Sequence, residues 1–204
     1  MKNIINFLRS KTNSSLFLEK HILNKHILNK KKVFIDLCSE KSSLIKFIQK
    51  KTKLDIIAND ISSCSKVIFK KEQKIETLLC QEQIEDSIIK IYKDFIGSNF
   101  YKKSETIVYI DPQIISINSK NNDKILSRNN LLNSFEDIVL LSLTISNNVF
   151  ISYNNEGILK EEDIKHILKK VQNYNHIKLN TYKNDNKYFN NKFTEIIWHI
   201  ENLL

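Results

Sequence analysis

Residues 106–114 read TIVYIDPQI, a short apolar run that ends in an acid followed by the one proline of the chain. The run is rich in β-branched and aromatic residues, which favour β-strands. Because proline donates no backbone hydrogen bond and restricts the residue before it, the strand is predicted to end at Asp111. The ending is either an ordinary strand end or a loop that carries chemistry.

Similar apolar segments recur along the chain and alternate with helical patterns. Strands are predicted at residues 33–37, 55–60, 106–111 and 148–154. Two alternating segments, 176–183 and 193–200, are predicted to close the chain as an antiparallel hairpin. Strands that alternate with helices indicate a largely parallel sheet covered on both faces. The predicted fold class is therefore α/β, with a mostly parallel sheet and a C-terminal antiparallel hairpin.

The segments between these strands have helical patterns. The first is HILNKHILNK at 21–30, whose spacing predicts one apolar helical face formed by Ile22, Leu23, Ile27 and Leu28. Further helices are predicted at 42–51, 61–71, 82–96, 131–146 and 160–171. Asn129 or Asn130 is the predicted cap of the helix at 131–146. No linker rich in Pro, Gly or Ser divides the chain, so residues 1–204 are predicted to form a single domain, with a helical segment at 1–30 and an α/β core at 31–204.

The composition favours an anionic partner. The 204 residues include 32 Lys and Arg against 23 Asp and Glu, which gives a formal net charge of +9. An excess of positive charge is the electrostatic signature of nucleic-acid binding, so DNA is a predicted partner. The alternative is that Lys, Asn and Ile are frequent because the coding DNA is rich in A and T. Much of the charge would then be solvated surface.

Cysteine spacing and hydropathy exclude several classes of protein. Cys38, Cys64 and Cys80 fit no zinc-binding pattern, and three cysteines cannot form a closed set of disulfides. They predict a reducing, cytoplasmic location and no metal cofactor. No apolar stretch is long enough to span a membrane, so no membrane partner is expected.

Polar residues follow several of the predicted strands. Asp36, Asp60 and Asp111 stand at three strand ends, and residues 152–155 at a fourth. Ligands of parallel α/β sheets bind outside the carboxyl ends of the strands, so these positions predict a site for a nucleotide-like ligand. The alternative is that each acid caps the loop or helix that follows it.

The order of several segments resembles the adenine-specific DNA methyltransferases of the Dam-like class. INFLRSK at 5–11 resembles the opening N-[YF]-x-G-S-K segment of that family, and FIDLCSEKSS at 34–43 resembles its D-L-F-x-G-x-G cofactor loop. IIANDISSCSKVI at 56–68 resembles the second acidic motif and the helix after it. VYIDPQI at 108–114 stands where the family has D-P-P-Y.

Two later segments extend this resemblance over nearly the whole chain. VFISYNNEGIL at 149–159 resembles the S-Y-N-N-E-G segment of the family, and NTYK at 180–183 resembles its Y-[KR] segment. No single segment is specific, but their order and spacing together are.

The resemblance implies a Rossmann-like fold that binds S-adenosylmethionine and methylates the exocyclic amine of an adenine flipped out of DNA. It implies a catalytic set in the D-P-P-Y positions, Asp111, Pro112, Gln113 and Ile114. It also implies a cofactor-binding set, Lys11, Asp36, Leu37, Ser39, Asp60 and Ile61. In this family the acid and backbone of D-P-P-Y accept hydrogen bonds from the amine, and the aromatic residue stacks on the base.

Several positions depart from the family pattern. Arg9 replaces the glycine of the opening segment, and the cofactor loop at 36–43, DLCSEKSS, contains no glycine. Glycine matters there because it lets the backbone approach the cofactor closely. Gln113 and Ile114 replace the second proline and the aromatic residue. Stacking on an aromatic ring is worth ~1–3 kcal/mol per base in single-strand binders, so its loss alone predicts slow catalysis.

Three hypotheses follow from this mixture of retained and lost residues. The first is a degenerate methyltransferase-like protein with weak or no methyl transfer, acting alone or beside an active methyltransferase or restriction subunit. The second is an active adenine methyltransferase with atypical loops. The third is a basic nucleic-acid-binding module or partner subunit without catalysis, which depends on the net charge alone.

Overall fold

The structure is a computed structural model that describes residues 17, 20–37, 43–59, 65–70, 73–78, 101–111, 128–154, 159–174, 176–188 and 191–203. Its strands are β1 (Val33–Asp36), β2 (Asp55–Asn59), β3 (Ser65–Lys70), β4 (Gln73–Leu78), β5 (Thr106–Ile110), β6 (Asn148–Asn154), β7 (Ile177–Tyr188) and β8 (Asn191–Asn202). Its helices are α1 (Lys25–Leu28), α2 (Ser43–Lys51), α3 (Arg128–Ile145) and α4 (Glu161–Tyr174), with a 3-10 turn at Lys103–Glu105.

The described strands form one sheet in the order β4-β3-β2-β1-β5-β6-β8-β7. The centre is parallel, because β1 pairs with β2 on one side and β5 on the other, and β5 pairs with β6. The strand order reverses between β1 and β5, which makes this the topological switch point where α/β folds bind ligands. At the C-terminus β7 and β8 pair in antiparallel fashion, from Ile177 opposite Asn202 to Tyr188 opposite Asn191. The predicted α/β class and C-terminal hairpin are confirmed.

The opposite side of the sheet differs from the prediction. Residues 61–71 were predicted to be helical, but β3 occupies Ser65–Lys70 and runs antiparallel to β2. β4 then pairs with β3 as a second antiparallel strand. The physical reason is that VIF at 67–69 favours extended structure, and β2 offers an unpaired edge whose N–H and C=O groups need partners. The helix predicted at 82–96 lies outside the described residues.

The repeated segment HILNKHILNK is helical, but in two pieces. Residues 20–22 are helical, Leu23 and Asn24 are not, and α1 then begins at Lys25. The carbonyl of Asn24 accepts hydrogen bonds from the N–H groups of Ile27 and Leu28, at 3.0 and 2.9 Å. The predicted apolar face is nevertheless correct, because Ile22 is buried and Leu23, Ile27 and Leu28 pack partly buried against the same core cluster.

One predicted helix cap is wrong. The helix predicted at 131–146 begins at Arg128, so Asn129 and Asn130 lie within its first turn and do not precede it. Asparagine costs little in the first turn, where backbone N–H groups have no intrahelical acceptor. The helix can therefore extend beyond the predicted cap.

Two apolar layers cover the sheet. One lies under α3 and α4 and includes Phe135, Leu168 and Trp198. Trp198 is 1% exposed and is among the largest fully buried side chains of the core. The other layer joins α2 and the helical segment around Ile22 to the opposite face of the sheet, through Phe34 and Phe150. Burial on both faces explains why the central strands are almost continuously apolar.

Candidate functional site

Two of the predicted site acids lie at the carboxyl ends of neighbouring strands. In the β1–β5 register Asp36 stands opposite Tyr109, and the Leu37 N–H donates a hydrogen bond to the Tyr109 carbonyl at 3.0 Å. Asp111 follows β5 two positions after Tyr109. Asp36 is 4% exposed, whereas Asp111 is half-buried. The switch point of the sheet therefore brings together the acid assigned to the cofactor and the acid assigned to catalysis.

Tyr109 is buried beside these two acids. Its hydroxyl donates a hydrogen bond to the Ser152 Oγ of β6 at 2.7 Å. Burial raises the pKa of the Tyr109 phenol well above its ordinary value, and the negative charges of Asp111, Asp36 and Glu195 raise it further, although the Ser152 bond opposes them. Tyr109 therefore remains a neutral hydrogen-bond donor at any physiological pH.

Glu195 brings a third carboxylate to this end of the sheet. It lies on β8, two positions before Ile197, which stands opposite Ser152, and it is 6% exposed. Because side chains alternate along a strand, Glu195 faces the same side of the sheet as Ser152. Its effect on the Tyr109 pKa places its charge near the phenol. We call Asp36, Tyr109, Asp111, Ser152 and Glu195 the acidic edge.

Glu195 and Tyr109 were missed as site residues in the sequence. The segment 193–200 alternates, and an acid on the second face of an alternating strand normally indicates solvent. That face is instead buried by the second apolar layer, which contains Ile197. Tyr109 reads as an ordinary strand residue, although a phenol inside an apolar run was a usable signal, since a buried tyrosine normally hydrogen-bonds.

The chemistry of the acidic edge is that of hydrogen-bond acceptance. Ionised carboxylates only accept hydrogen bonds, and Tyr109 already donates its proton to Ser152. Such a site suits a ligand with amine, hydroxyl or cationic groups. S-adenosylmethionine has an amino group, ribose hydroxyls and a sulfonium, so Asp36 and Asp111 fit the donor groups of this cofactor. No group of three or more His, Cys, Asp or Glu residues suited to a metal ion occurs within the described residues.

Of the other predicted site residues, the structure describes Leu37 alone. The structure does not describe Lys11, Ser39, Asp60, Ile61, Pro112, Gln113 or Ile114. Leu37 is described; its side chain is fully buried in the apolar layer under α3 and α4, so only its backbone lies at the acidic edge. The catalytic and cofactor-binding roles of these residues therefore remain predictions.

A second buried polar pair lies at the amino ends of the strands. The His199 ring stacks on Phe150, with centroids 4.2 Å apart, and its Nε2 lies 3.0 Å from the Asn148 Oδ1. Burial lowers the pKa of His199 to about 4, with smaller contributions from the charges of Lys178 and Lys31. The neutral imidazole thus acts as a structural group in the native protein.

Comparisons with known proteins assign no family to this chain. No protein-family model matches the sequence, and a search of curated proteins gives no significant match. Among solved structures, the chain is similar to the methyltransferase domain of bacterial CtHen1-CN. The two share 12% sequence identity with a TM-score of 0.42, over 92% of this chain and 96% of that domain. Across the part of the chain that the structure describes, no helix is long and apolar enough to cross a membrane. Function must therefore be inferred from the residues of this chain.

Proposed function

We propose that the chain is an adenine-N6 DNA methyltransferase-like protein with weak or no methyl transfer. One observation carries this proposal: Asp36 and Asp111 lie at the carboxyl ends of the adjacent strands β1 and β5, at the switch point of the sheet, where the Leu37 N–H also donates a hydrogen bond to the Tyr109 carbonyl. These are the two acids that the sequence motifs assign to the cofactor loop and to the D-P-P-Y loop. An arrangement that brings them together is what a cofactor and a methyl acceptor sharing one site would require.

The weakness of transfer is inferred from the residues that follow these two acids in the sequence. The loop after Asp36 has no glycine, and Glu40 and Lys41 bring bulky charged side chains to it. Ile114 offers no aromatic ring for stacking on a flipped base. Each ~1.4 kcal/mol lost from transition-state stabilisation is about tenfold in rate, so losing the stack alone predicts about ten- to hundredfold slower transfer.

The cofactor titration is the first test. Purified full-length chain is titrated with S-adenosylmethionine by calorimetry, alongside Asp36→Asn. We expect binding weaker than about 1 mM, equivalent to about −4 kcal/mol, with little change in Asp36→Asn. Micromolar binding that is lost in Asp36→Asn would contradict the degenerate cofactor loop and support an active enzyme.

The methyl-transfer assay is the second test. Labelled S-adenosylmethionine and A+T-containing duplexes are incubated with the native chain, with Asp111→Ala and with Asp137→Ala, an exposed acid of α3 that serves as the matched control. We expect turnover near background in all three. Clear turnover that disappears only in Asp111→Ala would establish a working enzyme and overturn the proposal.

A gain-of-function variant tests whether the loop after Asp111 is a degenerate catalytic loop. Gln113→Pro combined with Ile114→Tyr rebuilds the D-P-P-Y motif beside Asp111. If the loop is a degenerate catalytic loop, this double variant should exceed the native chain in transfer at saturating cofactor. The triple variant that adds Asp111→Ala should return to background. No gain, with cofactor bound, would argue against descent from a catalytic loop.

A further inference from the structure

The amino ends of the central strands are tied together by backbone hydrogen bonds beyond the strand ends. The Asp55 N–H donates to the Lys32 carbonyl at 2.8 Å, and the Lys32 N–H donates to the Glu105 carbonyl at 2.8 Å. The Asn147 N–H donates to the Lys103 carbonyl at 3.2 Å. The segments that precede β2, β1, β5 and β6 therefore hold fixed positions relative to one another.

Lysines are concentrated along this end of the sheet. They precede β1, β2 and β5 or end α2, and we call them the amino-edge lysine row: Lys30, Lys31, Lys32, Lys50, Lys51, Lys53, Lys102 and Lys103. All except the half-buried Lys31 are exposed. Carboxylates lie among or beside them. The charge of Glu201 acts on Lys31, and Glu201 also pairs with Lys178 at 4.0 Å. Asp55 accepts a hydrogen bond from the Tyr101 hydroxyl, and Glu105 forms an ion pair with Lys32 at 2.7 Å.

Part of the row has a structural explanation. Lys50 and Lys51 lie in the last turn of α2, where cations stabilise the helix dipole. Lys31 Nζ donates to the Ser104 carbonyl at 2.5 Å. The exposed side chains of Lys53, Lys102 and Lys103 lie on two segments, one before β2 and one before β5, and the segment before β1 lies between them because β1 is between β2 and β5.

We infer that the amino-edge lysine row binds the phosphodiester backbone of a nucleic acid. Neighbouring strands lie about 4.8 Å apart, so lysines on the β2, β1 and β5 segments span about 10 Å. A duplex has one phosphate charge per ~1.7 Å of axis, so a row of this length meets several phosphates at once. Lysine acts as a mobile point charge, which suits contacts to the backbone and not to base edges.

The acidic edge makes the same binding unfavourable at the other end of the sheet. Asp36, Asp111 and Glu195 would bring carboxylates towards phosphates, and like charges at close range repel. The row would therefore be a contact surface for nucleic acid that is separate from the candidate site. This inference does not depend on methyl transfer, because it concerns a different surface and requires no cofactor.

If the lysines are frequent only because the coding sequence is rich in A and T, nucleic acid should bind no lysine-bearing surface in preference to another. Helix α4 and the residue before it provide a second lysine-bearing surface for comparison. Lys160, Lys165 and Lys169 are also exposed. Lys165 pairs with Glu161 within one helix, an exposed ion pair of small energetic value. Replacing these three lysines removes the same charge as replacing three lysines of the row.

The experiment compares two full-length triple variants that carry equal net charge. The first replaces three lysines of the row, Lys53→Gln, Lys102→Gln and Lys103→Gln. The control replaces three lysines at and before α4, Lys160→Gln, Lys165→Gln and Lys169→Gln. Fluorescence anisotropy measures binding without cofactor to a DNA duplex and an RNA duplex of about 30 base pairs, from about 50 to 300 mM salt. Circular dichroism confirms that both variants are folded.

We expect the native chain to bind DNA, RNA or both with a steep salt dependence. The amino-edge variant should lose about tenfold or more in affinity. The slope of its log binding constant against log salt concentration should become shallower by about 2 to 3, because each phosphate contact contributes about 0.9 to that slope. The control should lose less than about threefold with little change of slope. The DNA and RNA arms identify which backbone is bound.

Three results would overturn the inference. The first is an equal loss of affinity in both variants, which would mean that net charge alone drives binding. The second is no salt-dependent binding to either duplex. The third is binding to vesicles containing phosphatidylserine without binding to either nucleic acid, which would assign the row to a membrane surface. A chain that binds S-adenosylmethionine tightly and transfers methyl groups, but also passes this test, would lose the proposed function and keep the inference.

Discussion

The two ends of the central strands are opposite in character, although the same four parallel strands build both. At the carboxyl ends, carboxylates gather around the buried Tyr109, and two of the three are less than one-tenth exposed. At the amino ends, lysines stand in solvent and the carboxylates among them already have partners. A buried set of charges is shaped for a small ligand, whereas an exposed row is shaped for an extended one. The proposed methyl-transfer site and the proposed nucleic-acid surface therefore lie at different ends of the sheet.

The largest expected effect comes from the layer that both ends share. Trp198→Ala should lower the free energy of unfolding by about 3–5 kcal/mol, because it removes a large side chain that is 1% exposed. Urea unfolding followed by circular dichroism measures the change. Leu203→Ala, at a side chain that is 63% exposed, is the control and should change stability by less than about 0.5 kcal/mol. A small effect at Trp198 would mean that the two ends do not share one core.

The second effect is the pH dependence of stability that His199 contributes at the amino ends of the strands. The folded pKa of His199 is about 4, below the ordinary value of 6.5, so the unfolded chain binds the proton first as pH falls. The stability from the neutral ring is therefore complete above pH 6.5 and is lost towards pH 4. The loss should reach about 3 kcal/mol, at ~1.4 kcal/mol for each unit of pKa difference.

Unfolding measured at several pH values in the native chain and in His199→Phe separates this contribution from that of the carboxylates. The variant should lose less stability than the native chain between pH 6.5 and 4. His176→Phe, at an exposed histidine, should follow the native profile. Parallel profiles for the native chain and His199→Phe would show that the ring is not buried as described.

A matched pair of substitutions then compares the two ends directly. At the amino end, Tyr101 donates its hydroxyl to the Asp55 carboxylate, and Tyr101→Phe leaves that charge without the bond. Hydrogen bonds to charged groups contribute about 1.5–3 kcal/mol, so we expect a loss of about 2 kcal/mol. Thermal and urea unfolding at pH 7 measure it. The loss should shrink in an Asp55→Asn background, which supplies the control.

The smallest effect is expected from the corresponding change at the carboxyl end. Tyr109→Phe removes a neutral hydrogen bond to Ser152, which should cost about 1 kcal/mol. A double-mutant cycle with Ser152→Ala should recover a coupling of about that size. A larger loss of stability in Tyr109→Phe than in Tyr101→Phe would contradict this ranking. It would mean that the Tyr109 hydroxyl also stabilises the neighbouring carboxylates.

The sequence predicted the centre of this molecule better than its edges. The strands at 33–37, 106–111 and 148–154 are largely apolar segments, and burial on both faces leaves such segments little choice of structure. SKVIFK at 65–70 is short, and whether such a segment forms a helix or a strand depends on whether a partner edge is available. That edge belongs to β2, a tertiary neighbour that local pattern does not specify.

The acidic edge could be predicted only in part, for a related reason. Asp36 ends β1 and Asp111 directly follows β5, so the rule that ligands bind at carboxyl ends was enough to pair them. Glu195 comes from an antiparallel strand near the C-terminus, and its approach to Tyr109 depends on β8 lying beside β6. No spacing within the sequence encodes that pairing. Residues contributed by distant strands are therefore the ones that sequence reasoning misses.

The outermost strand of the C-terminal hairpin has a consequence for the behaviour of the protein in concentrated solution. β7 is twelve residues long and forms one edge of the described sheet, with exposed side chains at Lys178, Thr181 and Lys183. A long unpaired edge is a template on which a second copy can add its own strand. Two copies approaching through this strand would bring their lysines towards one another and repel. The same lysine-rich composition that gives the chain its positive charge thus disfavours self-association through this edge of the described sheet.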